Sequence, residues 1–150
     1  MSEIDNPLNL DSFLPYRLSV TSNKISGIIA DTYKDKFAIS ITEWRIMAVL
    51  GSNPGSSADE VSAKTQIEKS ILSRAISKLL QRNLIEREFD EEDRRRSILT
   101  LSKTGIAVYN EIVPISYDYE KRFLACFSDE EQRQFRHLLD RLDQHADKVD

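Results

Sequence analysis

The sequence predicts a mostly α-helical chain carrying one small β-hairpin. Three observations predict it. Apolar residues recur at helical spacing through most of the 150 residues. Two short helical segments in the middle are separated by a turn of three or four residues. Directly after them come two short β-compatible runs joined by a strongly charged loop.

The first long element is expected from about Pro15 to Tyr33. Leu18, Ile25, Ile28, Ile29 and Thr32 recur at helical spacing, and Pro15 suits a first turn. Thr42 is the expected cap of a shorter helix carrying Trp44, Ile46, Met47, Val49 and Leu50. That helix stops at Gly51, and Ser52-Asn53-Pro54-Gly55 reads as a turn. Ser57-Ala58-Asp59-Glu60 has the form of a capping box, opening a helix that ends near Lys64. The next helix runs from about Glu68 to Arg82, with Ile67, Ile71, Leu72, Ala75, Ile76, Leu79 and Leu80 as its apolar positions. Two helices in this arrangement, the second basic on its outer face, form a helix-turn-helix pattern.

Leu84 to Phe89 and Ser97 to Leu101 are the two β-compatible runs. The segment between them, Asp90-Glu91-Glu92-Asp93-Arg94-Arg95-Arg96, is too polar to be buried. A hairpin with a basic tip directly after a recognition-type helix is a wing. The expected fold is therefore a winged helix-turn-helix over residues 42–101 within a single domain of residues 1–150. Helices over 12–33 and 102–147 flank it. Ser102 caps a helix whose stripe is Ile106, Tyr109, Val113, Tyr117, Phe123 and Phe127, bent or interrupted at Pro114. Ser128-Asp129-Glu130-Glu131 opens another, with Phe135, Leu138, Leu139 and Leu142 apolar. The winged helix cannot cover all these stripes, so a second subunit is the simplest partner, and the flanking helices are read as a dimerisation region.

Composition narrows the function. No apolar run approaches the length of a membrane span, and the first residues lack the pattern of a signal peptide. A single cysteine, Cys126, fits a reducing cytoplasm and rules out an internal disulfide. That cysteine is expected as a small buried hydrophobe rather than a redox switch. His137 and His145 are expected at the surface, and no zinc-ligand spacing, catalytic triad, paired carboxylate or phosphate-cradling glycine motif occurs. Neither an enzyme nor a metal or organic cofactor is expected. Net charge is −4, which by itself argues against nucleic acid. The local balance argues the other way. Lys64, Lys69, Arg74, Lys78 and Arg82 face only Glu68, a local net charge of +4, and phosphates respond to the local face.

Ser70, Ser73, Arg74 and Ser77 share one helix face at i, i+3, i+4 and i+7, opposite the apolar one. Small hydroxyls allow close approach to bases, Arg74 suits a guanine edge, and Lys69 and Lys78 suit phosphates. Of the wing-tip residues Arg94, Arg95 and Arg96, one is expected in a narrow A·T-rich minor groove and another in a structural role, with Asp90 and Asp93 orienting them. A solvated helix face and an internally paired hairpin tip are the competing readings.

Taken together, these residues resemble the MarR family of multiple-antibiotic-resistance-type regulators, over roughly Leu14 to Leu142. The most specific piece is Asp93-Arg94-Arg95 followed by Ile98-Leu99-Thr100-Leu101-Ser102-Lys103-Thr104-Gly105. It is similar to the family's Asp-Arg-Arg, strand, Leu-Thr-x-x-Gly pattern, with Ser102 where Thr is usual. Ser70-Ile71-Leu72-Ser73-Arg74 sits at the family's recognition helix, and Leu84-Ile85-Glu86-Arg87 at the strand entering the wing. Ile71 replaces a usual Thr, and Asn83 a common Gly. The resemblance implies Arg94 as the groove residue. It also implies a cytoplasmic homodimer on palindromic double-stranded DNA, acting as a repressor released by a small effector. The segments Leu14-Pro15-Tyr16-Arg17-Leu18 and Glu43-Trp44-Arg45 are similar to a branch associated with aromatic-acid catabolism. Tyr16, Arg17, Trp44 and Arg45 could then line a pocket for a phenolic or aromatic carboxylate. Core packing for Trp44 and ion pairing for the arginines fit as well. A helical protein-interaction module without specific DNA binding is the alternative from another class.

Overall fold

The computed structural model describes residues 3–89, 91–93 and 96–150. After a 3-10 turn at Leu10–Ser12 the order is α1 Leu14–Phe37, α2 Ile41–Ser52, α3 Ala58–Thr65, α4 Lys69–Gln81, β1 Ile85–Phe89, β2 Ser97–Leu101, α5 Lys103–Leu124 and α6 Asp129–Ala146. The chain forms two compact units, one up to Ile115 and one from Ser116 on, with α5 contributing to both. In the first unit the helix-turn-helix and wing have the expected order. β1 and β2 are antiparallel, pairing Ile85 with Leu101 and Phe89 with Ser97. The base of the wing is also tied inward, since Leu99 N–H donates to the Ser56 carbonyl at 2.8 Å.

The core that fixes α4 draws on almost every element of the first unit. Tyr33 of α1, Ile46, Met47 and Leu50 of α2, Val61 of α3, and Leu72, Ile76 and Leu79 of α4 are buried together with Leu84, Ile85, Leu99 and Ile112. Residue type sets where the helices stop. Gln66 (φ 59°) ends α3 and Asn83 (φ 57°) follows α4, both left-handed, a conformation that Asn tolerates better than most non-glycine residues. Three residues separate α3 from α4, the tight turn a helix-turn-helix needs. Gly105 answers to a different constraint: a Cβ there would collide with the Leu84 carbonyl oxygen, so only glycine lets α5 start against the wing.

Several expectations are corrected. Helix α1 runs on to Phe37, and Arg82 satisfies its end: the guanidinium donates to the carbonyls of Phe37 (2.6 Å) and Ala38 (2.7 Å). The cap of α2 is Ser40, not Thr42. Ser40 Oγ accepts from Glu43 N at 3.1 Å, and the Glu43 carboxylate accepts from Ser40 N at 2.9 Å. Ser57 caps α3 as expected, accepting from Glu60 N. Pro114 does not interrupt α5. Its missing N–H frees the carbonyl of Asn110, and both residues are exposed, so water can take the place of the lost bond. The stripe of α5 is also set differently. Gly105 and Ile112 are buried, Ile106 and Tyr117 are exposed, and Phe127 lies beyond the helix end.

The second unit holds the end of α5 and all of α6. Ser128 and Glu131 form a reciprocal capping box. Gln132 Nε2 donates to the Leu124 carbonyl at 2.9 Å, closing the end of α5. Phe127 stacks on Phe135 with ring centroids 5.7 Å apart. Cys126 is exposed, not a buried hydrophobe, because α5 stops at Leu124 and leaves it in the turn. No residue of α6 is buried, and Phe135, Leu138, Leu139 and Leu142 stand about half exposed. No helix among the described residues is long and apolar enough to cross a membrane.

Candidate nucleic-acid interface

The outward face of α4 is set by what its other face buries. Leu72, Ala75, Ile76 and Leu79 lock into the core, which leaves Lys69, Ser70, Ser73, Arg74, Ser77 and Lys78 exposed. All six residues expected on α4 therefore share one solvent-facing surface. Glu68 opens the helix: its carboxylate accepts from Ser70 N (3.0 Å) and from Ser70 Oγ (2.6 Å). The Ser70 hydroxyl and the backbone N–H groups hold the Glu68 carboxyl below the usual carboxylate range. The hydroxyl proton of Ser70 is thus already donated within the protein. Ile71, expected on the buried face, is 45% exposed instead. The helix begins at Lys69, and the core side is already filled by the row Leu72, Ala75, Ile76 and Leu79, which turns Ile71 outward.

A concavity of about 300 Å³ lies between the start of α2 and α4. Ile71, Arg74, Ala75 and Lys78 form one wall, and Ser40, Thr42 and Glu43 the other. The Glu43 carboxylate in this wall accepts from the Ser40 amide and is the one acidic side chain among the residues lining the concavity with Arg74 and Lys78.

In the wing, Arg96 is paired with α3. Its Nη2 lies 3.2 Å from Glu60 Oε1, and its backbone N–H donates to the Asp93 carbonyl at 2.9 Å. Arg94, Arg95 and Asp90 lie outside the described residues. Two ties went unseen in the sequence, the Arg82 clasp on the end of α1 and the Arg96–Glu60 pair. Glu60 was visible only as the last member of a capping box.

The four effector candidates do not meet within one chain. Trp44 is half-buried between Tyr33 (6.0 Å) and Tyr109 (5.8 Å), and burial pushes the Tyr33 phenol up to about 12. Arg45 Nη2 donates to Ser26 Oγ at 3.2 Å. Tyr16 and Arg17 belong to the exposed start of α1, where Arg17 donates to the Asp11 carbonyl. Arg17 and Ser26 are nine residues apart on a continuous helix, about 13 Å along its axis. Tyr109 also lines a second cavity, of about 400 Å³, whose walls include Leu50, Leu101 and Ile106 and carry no charged side chain.

The MarR family profile matches residues 39–96, which span α2 to the end of the wing loop. The HTH-type transcriptional regulator BilQ of Clostridium symbiosum is 30% identical over 107 residues, covering 71% of this chain and 74% of that protein. A MarR/EmrR family transcriptional regulator from Acinetobacter sp. ADP1 superposes with a TM-score of 0.85 at 29% identity, over 95% of this chain and all of the other. Bordetella bronchiseptica BpsR, whose DNA binding is regulated by 6-hydroxynicotinic acid, shares the fold: TM-score 0.79, 20% identity, 92% and 98% coverage. With a buried-face recognition helix, a two-stranded wing and these relatives, the chain belongs to the MarR family of winged helix-turn-helix transcriptional regulators.

Proposed function

We propose that the protein is a homodimeric repressor that places α4 of each subunit in a major groove and its wing in the adjoining minor groove, and that a small aromatic carboxylate releases it. The observation that carries the DNA reading is the face of α4: six polar or basic side chains exposed together, with the opposite face immobilised in the core. A merely solvated helix face has no need of an adjoining wing or of a local charge opposite in sign to that of the whole chain. On this reading Arg74 takes a base edge, Lys69 and Lys78 take phosphates, and Ser73 and Ser77 permit close approach. Arg96, paired with Glu60, is the structural arginine of the wing, and the family resemblance points to Arg94 rather than Arg95 for the groove.

The effector reading rests on Trp44 and Arg45, adjacent on α2, with Tyr16 and Arg17 contributed from the start of an α1. An aromatic wall beside a guanidinium fits a ring bearing a carboxylate, the chemistry of the acid that regulates BpsR.

Binding titrations at two salt concentrations test both parts. Wild-type affinity should fall steeply with salt. Arg74→Ala should cost roughly 1–3 kcal/mol at one base pair and relax preference there only, whereas Lys78→Ala should weaken all sequences alike and reduce the salt slope by about one. Arg45→Ala should keep DNA affinity and lose release by aromatic acids. Salt-insensitive, sequence-blind association would support the protein-interaction alternative.

A further inference from the structure

Ile71 is the only exposed apolar side chain of α4, and nothing in the fold requires it to be apolar. It is 45% exposed, it occupies the third position of the helix, and it shares the concavity beside α2 with Arg74 and Lys78. The first turn of a recognition helix is the part that reaches base edges. In that turn the Ser70 hydroxyl is already donated to Glu68 and Lys69 suits a phosphate, so Ile71, with Arg74 one turn later, is the group left to meet a base edge. An aliphatic side chain has no donor and no acceptor. Against a guanine, adenine or cytosine edge it would cover polar groups without pairing them, which costs free energy. The C5-methyl of thymine is the one major-groove feature it can match.

We propose that Ile71 is a specificity-determining residue that reads thymine, packing on the C5-methyl of a base beside the pair read by Arg74. This rests on the reading of α4 as the recognition helix. It assigns to the chain a preference that a hydroxyl-bearing residue at this position would not impose, since threonine can hydrogen-bond several base edges.

Replacing thymine by uracil removes that methyl and nothing else from the groove. Duplexes enriched by the 150-residue chain from a randomised pool would be remade with dU at one thymine position at a time, in both half-sites. For wild type we expect one symmetric position at which dU weakens binding roughly fourfold per half-site, the fold-change equivalent to about 0.8 kcal/mol for one buried carbon. Ile71→Ala should bind the dT and dU duplexes equally at that position while keeping the preference set by Arg74. Ile71→Val, which keeps the branched carbon, should retain part of the discrimination. Wild-type indifference to dU at every thymine, an enriched site without thymine, or an undiminished dU effect in Ile71→Ala would overturn the proposal while leaving DNA binding intact. Failure to enrich any sequence would overturn the recognition-helix reading beneath it. Because Ile71 lies outside the core, both variants should fold with an unchanged thermal midpoint.

Discussion

Ser102 shows how much one small side chain can hold together. Its hydroxyl donates to the Asn83 carbonyl at 2.6 Å and accepts from Gly105 N at 2.9 Å, while its backbone N–H donates to the Leu84 carbonyl at 3.0 Å. The turn after α4, the end of the wing and the start of α5 therefore meet at one buried residue. Ser102→Ala should cost about 1–3 kcal/mol, because it removes a helix cap and leaves the partly buried carbonyl of Asn83 without its donor. Ser102→Thr, which retains the hydroxyl, should restore most of that loss. Urea unfolding midpoints of the two variants check this, and equal midpoints for Ala and wild type would refute it. Half of this role was legible in the sequence, since a serine before a helical run reads as a cap. The bond to Asn83 was not, because 19 residues separate the two and local spacing carries no information about them. The same holds for Arg82, which clasps a carbonyl 44 residues away, and for Arg96, whose partner Glu60 is 36 residues distant. Both arginines read from sequence as part of a basic patch, and both prove to hold elements together.

At the scale of elements, the helix starts were legible wherever a hydroxyl stood three residues before a glutamate. Ser57 and Ser128 were found this way. Ser40-Ile41-Thr42-Glu43 carries the same signature and places the cap at Ser40 rather than at the expected Thr42. The reciprocal bonds to Glu43 decide for Ser40. The end of α5 was harder. Leu124-Ala125-Cys126-Phe127 has no glycine or proline to mark a stop, and apolar spacing alone carries the helix through it. The wing combines both situations, with legible strands and an invisible tether. If Arg96 only steadies the hairpin, Arg96→Ala should reduce DNA affinity by no more than about fivefold, the limit set by a solvent-exposed pair worth at most about 1 kcal/mol. The loss should be the same whatever the flanking sequence, and Glu60→Gln should reproduce it. Arg94→Ala should differ: its loss should concentrate on sites with A·T-rich flanks, where the minor groove is narrow and its potential most negative. Flank-swapped duplexes titrated against the three variants discriminate these outcomes. A flank-independent loss for Arg94→Ala would make the wing a phosphate anchor only.

For the whole molecule the unresolved demand is hydrophobic. Phe135, Leu138, Leu139 and Leu142 leave an apolar row on α6 about half exposed, and Phe13, Leu14 and Leu18 do the same at the start of α1. Contiguous apolar surface of this kind marks an interaction site in most water-soluble proteins. On the proposed function a second copy is the occupant, because a two-fold pair of α4 helices would match a palindrome with half-sites about 10 base pairs apart. Wild type should therefore sediment at micromolar concentration at twice the 17.3 kDa chain mass. Leu138→Glu combined with Leu142→Glu should yield the 17.3 kDa species, since two carboxylates cannot be buried in an apolar seam without partners. Neither leucine is buried in the chain, so the winged helix should keep its helicity and thermal midpoint. Operator affinity should nonetheless fall by roughly 10²–10⁴, the loss expected when two linked binding events become independent. A second operator with one half-site scrambled separates this from local damage. The charged variant should bind it about as well as the intact palindrome, while wild type should lose most of its affinity. Should the charged variant still discriminate the two duplexes, α6 would not be the dimer seam, and the subunits would have to be joined through other apolar faces such as the start of α1.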